Sequence, residues 1–279
     1  MISLARLLAG MAWLLLIAAC AVVPAPPRPL APSLGDRPEA VLEGLAAKES
    51  AVATVRGLAS VRYDGPAGSG SATQVIVVAM PDRARVEVLS PLGTAVLLVA
   101  IRGEDLAVHA PARHEYGVGR ATPETLGRLA RVPIPPGLLL RLLVGLPPLP
   151  VRAGDPRVRV AAEAEAVRVE SVDGPYWQRV WTGPDGAEVE RGELGVATGL
   201  LLRFEFGERR RLNGAAFPLA VRLEGVQTGT RVAIQYETAR INEPVDAGLF
   251  DLPPPADGRT RILDLGGGSP PESKVSPVR

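Results

Sequence analysis

Cysteine is almost absent from this chain: Cys20 is the only one, so no disulfide can form within it. Histidine is nearly as scarce. His109 and His114 stand without an acidic cluster beside them, a pair that makes no credible metal site, and both are expected in surface or turn roles. Aromatics are 4% of the residues, so leucine, valine and alanine must fill any interior. Charge of neither sign prevails. The net charge of +1 gives too weak a field to gather nucleic acid. The one basic cluster, Arg209, Arg210 and Arg211, is expected to form a solvated turn between two strands. Glu163 and Glu165, in an alanine-rich stretch, read as solvated. No G-x-S-x-G elbow, P-loop or H-E-x-x-H helix occurs, and Gly266–Gly268 has no helix after it to hold a phosphate. The chain therefore reads as a non-enzyme without cofactor or metal.

What the chain does have begins at its N-terminus. Met1–Arg6 carries one positive charge, Leu7–Leu16 is almost wholly apolar, and small residues follow. The apolar run is about half of what a spanning helix requires and has the length of a secretory leader. Ile17-Ala18-Ala19-Cys20 resembles the lipobox of bacterial lipoproteins. That resemblance implies cleavage before Cys20, a diacylglycerol on its thiol and a third acyl chain on its new amino group. Two or three chains anchor stably, since each buried methylene contributes roughly 0.8 kcal/mol. The expected place is the cell envelope, facing the periplasm. Ala21 stands where an aspartate would favour the inner membrane, so the outer membrane is favoured.

Residues 1–19 are thus expected as a leader, 20–35 as a lipidated cysteine with a tether, 36–252 as one folded domain and 253–279 as a disordered tail. Pro24, Pro26, Pro27, Pro29 and Pro32 keep the tether extended, at roughly 3.1 Å per residue. Within the domain, Pro38–Ser50 reads as a helix with Val41, Leu42, Leu45 and Ala46 in one stripe. Short strands follow: 52–63, 72–80, 85–89, 94–102, 105–110 and 114–118. Their short turns exclude parallel pairing, which needs long crossovers, so the sheet is expected to be antiparallel. Thr122-Pro123 starts a second helix and the leucine-dense 137–146 makes a third, ended by Gly145 and Pro147. Strands then resume at 166–172, 176–182, 187–192, 200–206, 217–224 and 230–240.

The late strands alternate cleanly. Leu202, Phe204 and Phe206 face away from Arg203 and Glu205, as Leu219 and Val221 do from Arg222, and Ile234 and Tyr236 from Gln235. Early strands such as Val75–Val78 and Ala95–Ile101 are apolar on both faces and need cover on both sides. One side is the interior, and the helices are expected on the other. The fold class expected is mainly β: an unclosed antiparallel β-barrel of roughly 11 strands with helices covering one side. Such barrels can enclose ligand space.

The order of elements resembles the LolA/LolB-like family of outer-membrane lipoprotein-localisation proteins. The resemblance rests on Val55-Arg56-Gly57-Leu58-Ala59, on Arg85–Leu89 running into Pro91-Leu92-Gly93, on helical Thr122–Leu129 before Val132-Pro133-Ile134-Pro135, and on Leu142-Leu143-Val144-Gly145-Leu146-Pro147. Phe217-Pro218-Leu219 and the final strand fall where the family places its closing strands. Leu140-Arg141-Leu142 stands where the family carries a tryptophan. The resemblance implies an apolar cavity that accepts acyl chains of lipoproteins or lipids, a periplasmic LolA-like carrier as a partner, and a protruding leucine, here Leu92, that touches the membrane. Pro91, Leu92 and Gly93 are therefore the expected membrane-contact loop. The cavity lining expected from alternation is Val75, Val77, Val86, Val88, Val96, Leu98, Leu202, Phe204, Leu219, Val221, Ile234 and Tyr236. A monomer is expected. The competing reading is an envelope scaffold lipoprotein with the same fold, a filled interior and a protein partner on its outer face.

Overall fold

Why the sheet curls becomes clear from what lies on each of its faces. The computed structural model describes residues 38–266 apart from positions 131, 132, 153, 164, 165, 184, 185 and 187. Cys20, the tether, Glu165 and residues 267–279 lie outside the described residues. Helix α1 is Pro38–Ala51 and leads into β1 (Thr54–Gly65), β2 (Gly68–Ala79), β3 (Arg83–Leu89), β4 (Ala95–Arg102), β5 (Asp105–Ala110) and β6 (Glu115–Arg120). Helices α2 (Pro123–Ala130) and α3 (Pro136–Leu143) interrupt the strands. Then come β7 (Arg159–Ala162), β8 (Val167–Asp173), β9 (Tyr176–Thr182), β10 (Val189–Val196), β11 (Gly199–Leu212), β12 (Ala215–Gly225), β13 (Thr230–Ile241) and β14 (Arg261–Asp264).

All these strands form one sheet in the order β14-β6-β5-β4-β3-β2-β1-β13-β12-β11-β10-β9-β8-β7. Its two ends do not pair, so the sheet wraps without closing. The short turns dictate antiparallel neighbours, and every pair is antiparallel except β14 with β6. That exception is allowed because nineteen residues separate β13 from β14 and can cross the sheet. The core lies on the concave face. Val41, Leu42 and Leu45 of α1, Leu126 of α2 and Leu140, Leu142 and Leu143 of α3 share one cluster with Val55, Ile76, Val78, Ile101, Leu106, Val167, Val180, Leu202, Phe204 and Tyr236. Helices with one apolar stripe bury it most fully against a curved sheet, which leaves α1 and α3 inside the curl.

This arrangement corrects three expectations. First, the helices cover the concave face, and a different element covers the convex one. Residues 243–252 run as a strap across β2 to β6: Val245, Leu249 and Phe250 pack on Val75, Val77 and Ala79. Arg83 stacks on the Phe250 ring at 5.4 Å, Arg85 donates to the Leu249 carbonyl at 3.0 Å, and Arg102 pairs with Asp251 at 2.8 Å. The two-faced apolar strands therefore have their second cover in the strap. Second, the stretch after 252 is not wholly outside the fold, because Arg261–Asp264 adds an edge strand. Leu265 then lies against Gly117 and Gly119, whose missing side chains leave it room. Third, Arg209, Arg210 and Arg211 lie inside β11, and the turn is Asn213-Gly214. Ladder pairing overrides charge there because alternate residues still reach water.

Candidate functional site

The concave face is graded along its strands. Nearest the β2–β3 and β4–β5 turns it is sealed: Val55 is buried, as are Ile76, Val78, Ala84 and Ile101. Toward the β1–β2 and β3–β4 turns the inward residues Val61, Val86, Val88, Leu97 and Val99 become only half-buried. Val232 on β13 follows the same trend, and Leu138 and Leu139 at the start of α3 are half-buried against the same core. The concave groove thus closes at one end and stays partly open at the other.

Eight of the expected lining residues do face this core, and four do not. Val86, Val88, Leu202, Phe204, Leu219, Val221, Ile234 and Tyr236 lie on the concave side. Val75, Val77, Val96 and Leu98 lie on the convex side, one register step from Ile76, Val78, Leu97 and Val99. A strand apolar on both faces gives alternation nothing to choose by. The ladder would have chosen: Ile76 and Val99 both stand opposite Val86, whose own face is fixed by Arg85 and Glu87. The late strands carry a further correction. Leu202 and Val221 are 0% exposed and Phe204 and Tyr236 1%, so beneath α3 these residues pack solidly instead of lining a void.

Tyr236 explains how α3 is held there. Its hydroxyl donates to the Leu143 carbonyl at 2.9 Å, at the last residue of α3, where helical carbonyls lose their own partners. Its ring meets Phe217 edge-on with centroids 5.3 Å apart and lies over Gly57. A β-carbon on Gly57 would sit 2.7 Å from that ring and from the Thr238 carbonyl, so the site needs glycine. Burial pushes the Tyr236 hydroxyl well above its ordinary pKa of 10.0. Motifs far apart in sequence thereby converge: Gly57, the end of α3, and Phe217, next to Pro218, which abuts Gly145. Two more buried polar groups fix the same segment. Arg141 in α3 donates to the Pro147 carbonyl at 2.8 Å and to Glu49 of α1 at 2.6 Å. Gln178 on β9 accepts from the Leu149 N–H and donates to its carbonyl, each at 2.8 Å. Sequence reasoning missed Arg141 and Gln178. The signal available was a lone arginine in a leucine-rich helix.

The turn joining β3 to β4 presents Leu92. Ser90 organises it: the Gly93 N–H donates to the Ser90 carbonyl at 2.9 Å, and the N–H groups of Leu92 and Thr94 point to the Ser90 hydroxyl. Pro91 occupies the corner position it favours, and Gly93 takes a φ of 80° that a side chain would resist. Leu92 is left 93% exposed, which excludes its folding back as a cap on the core. At the other end of the groove, α1 and the end of α3 border a cleft of about 320 Å3, rimmed by Lys48, Glu188, Arg209 and Arg211. There Lys48 pairs with Glu188, as does Arg209. His109 lies edge-on to Tyr116 with centroids 6.3 Å apart, and His114 sits in the β5–β6 turn. Among the described residues no cluster of metal-ligating side chains occurs, and no helix is long and apolar enough to cross a membrane.

These features define an unclosed, antiparallel-rich sheet wrapped on helices, with an apolar groove open at one end. No family model and no curated protein matches the sequence. Among solved structures the chain is similar to a DUF1329 family protein from Desulfovibrio piger, at 12% identity over 76% of this chain and 96% of that one, with a TM-score of 0.54. It is also similar to a LolA superfamily protein from Nitrosomonas europaea, at 13% identity, 77% and 97% coverage and a TM-score of 0.49. A domain from Vibrio parahaemolyticus described as outer membrane lipoprotein-sorting gives 12% identity, 75% and 95% coverage and a TM-score of 0.49. At these identities the likeness is one of fold, and the first match carries it.

Proposed function

We propose that this chain is a lipid-anchored, periplasm-facing protein that receives acyl chains at the open end of its concave groove and passes them to or from a membrane. In this reading Cys20 carries the anchor, residues 20–35 are the tether, and Leu92 makes transient contact with lipid. The observation that carries it is the half-buried apolar row Val61, Val86, Val88, Leu97 and Val99 beside a leucine 93% exposed. Leaving so much apolar surface wet costs stability unless a ligand covers it at work. The solid packing beneath α3 sets a condition: cargo occupies the mouth, or goes deeper only when α3 lifts. The cargo class is acyl chains of lipids or lipoproteins, with a LolA-like carrier as donor, and no chemistry on the cargo is required.

The same packing favours a second reading, the envelope scaffold with a filled core, because Leu202, Val221 and Leu194 admit no solvent at all. A chain lacking residues 1–19 and bearing Cys20→Ser separates the two when titrated with a fluorescent fatty-acid probe. Saturable binding, competed by palmitate, supports acyl handling. A preparation free of lipid by mass spectrometry that also binds no probe leaves the scaffold.

A further inference from the structure

We propose that the membrane contact is not the Leu92 turn alone but an uncharged edge made of four neighbouring hairpin tips. The inference rests on the membrane reading above and extends it to surface that the Pro91-Leu92-Gly93 motif does not include. The strand order runs β4-β3-β2-β1-β13-β12-β11-β10, so the β3–β4, β1–β2, β12–β13 and β10–β11 tips lie side by side at one end of the sheet. Neighbouring strands are about 4.8 Å apart, which spaces adjacent tips by roughly 10 Å.

The composition of these tips departs from the rest of the chain. None of residues 65–69, 90–95, 196–199 and 226–230 is charged, in a sequence that is 22% charged. Turns at the opposite end carry Asp82, Glu104 and Glu188, and the tips that flank the four carry Arg113 and Asp173. Large apolar side chains are exposed along the same edge: Leu92 at 93%, Tyr63 at 42%, Val96 at 40% and Val226 at 38%. Serine and threonine fill much of the remainder, as at Ser69, Ser90, Thr94 and Thr198. The nearest charges, Asp64 and Arg231, stand opposite each other on the convex side of the ladder.

This chemistry fits the interfacial zone of a bilayer. Apolar tips and a tyrosine partition there, hydroxyls satisfy themselves on headgroups, and no charge has to be desolvated. Register supports a joint surface. Asp64 stands opposite Arg231, so the β1–β2 and β12–β13 tips are level, and Pro66 lies against Gly229. The β3–β4 tip starts lower, since Leu89 stands opposite Thr73, short of Gly68 where β2 begins. The β1–β2, β12–β13 and β3–β4 tips define a plane, and the step between them sets the tilt of the domain on the membrane. In that pose the open end of the groove faces the lipid.

The test uses the full chain in membranes of a bacterial host, with Cys20 acylation checked on the same sample. A benzophenone amino acid replaces Ala67, Leu92 or Gln227 in turn, and Asp82 or Glu104 as controls. All five are exposed turn residues that tolerate a bulky side chain. After irradiation, phospholipid adducts at 67, 92 and 227 exceeding those at 82 and 104 by about tenfold are expected, the ratio set by about one decade of partitioning. Adducts at 92 alone overturn the extended edge while leaving the Leu92 reading intact. Adducts at none of the three overturn both. Adducts mainly to a protein at 67 and 227 also overturn the proposal and assign the edge to a protein partner.

Discussion

Replacing Tyr236 by phenylalanine removes one oxygen and nothing else, which makes it a clean probe of how α3 is fastened. The ring, its contact with Phe217 and its fit over Gly57 all survive. What goes is the 2.9 Å hydrogen bond to Leu143, and it leaves a buried carbonyl facing a hydrocarbon edge. A buried acceptor stripped of its donor costs about 1–3 kcal/mol. With a urea dependence of about 3 kcal/mol/M for a domain of this size, the midpoint should fall by about 0.3–1 M, followed by far-UV circular dichroism. A second readout concerns alkali. Because burial holds the Tyr236 proton above the usual tyrosine pKa, its contribution is complete below pH 10.0 and is lost as pH rises beyond, when the unfolded chain ionises first. Tyr236→Phe should therefore show a shallower fall in stability above pH 10.0 than the parent chain. Tyr116, also raised by burial, contributes a residual slope in both proteins. If α3 closes the groove, the variant should also take up a fatty-acid probe faster. An unchanged midpoint together with an unchanged alkaline slope would refute the idea that Tyr236 latches α3.

Leu92→Glu should leave the urea midpoint unchanged, since the side chain is 93% exposed, yet lower vesicle association by roughly ten- to a hundredfold from the about 1.5–3 kcal/mol that leucine burial contributes. Co-flotation with neutral vesicles measures it, and equal flotation removes the turn from the mechanism. Gln178→Ala strands both polar groups of Leu149 and should destabilise by about 2–4 kcal/mol in chemical denaturation. Phe250→Ala tests the strap: the ring is 2% exposed and its loss should cost about 3–5 kcal/mol, with faster amide exchange in β2 and β3 as the local sign. Asp155 should titrate at about 2 by NMR, held down first by its hydrogen bonds with Arg157. Its contribution is present above the ordinary value of 3.8 and lost as pH falls toward 2, and Arg157→Ala should raise it only part of the way back, since the bond from the residue 157 N–H remains.

Much of the architecture was legible in the residues because it depends on local rules. Turn residues and alternation placed twelve of the strands, and Pro123 and Pro136 open their helices as proline at a first helical turn does. Thr122 caps α2, accepting from the Thr125 N–H at 3.2 Å. The two strands missed, β7 and β14, span Arg159–Ala162 and Arg261–Asp264 and have no alternation long enough to register. Of the site, the late-strand faces were readable, since clean apolar alternation has one physical solution, whereas the turn residues located Leu92 without deciding whether it points out, which only the resemblance implied.

Sequence by itself determined that strands joined by short turns run antiparallel, where the helices start, and that four of the turns carry no charge. All are consequences of a few adjacent residues. Only the tertiary structure decided which face of β2 and β4 turns inward, because Val75 and Ile76 are equally apolar and the choice falls to pairing with β3 and to the strap from residues 243–252. It alone decided that α3 fills the space beneath the late strands. How full an interior is depends on which side chains meet across the fold, and Tyr236, Gly57 and Leu143 lie too far apart in the chain for any local pattern to join them.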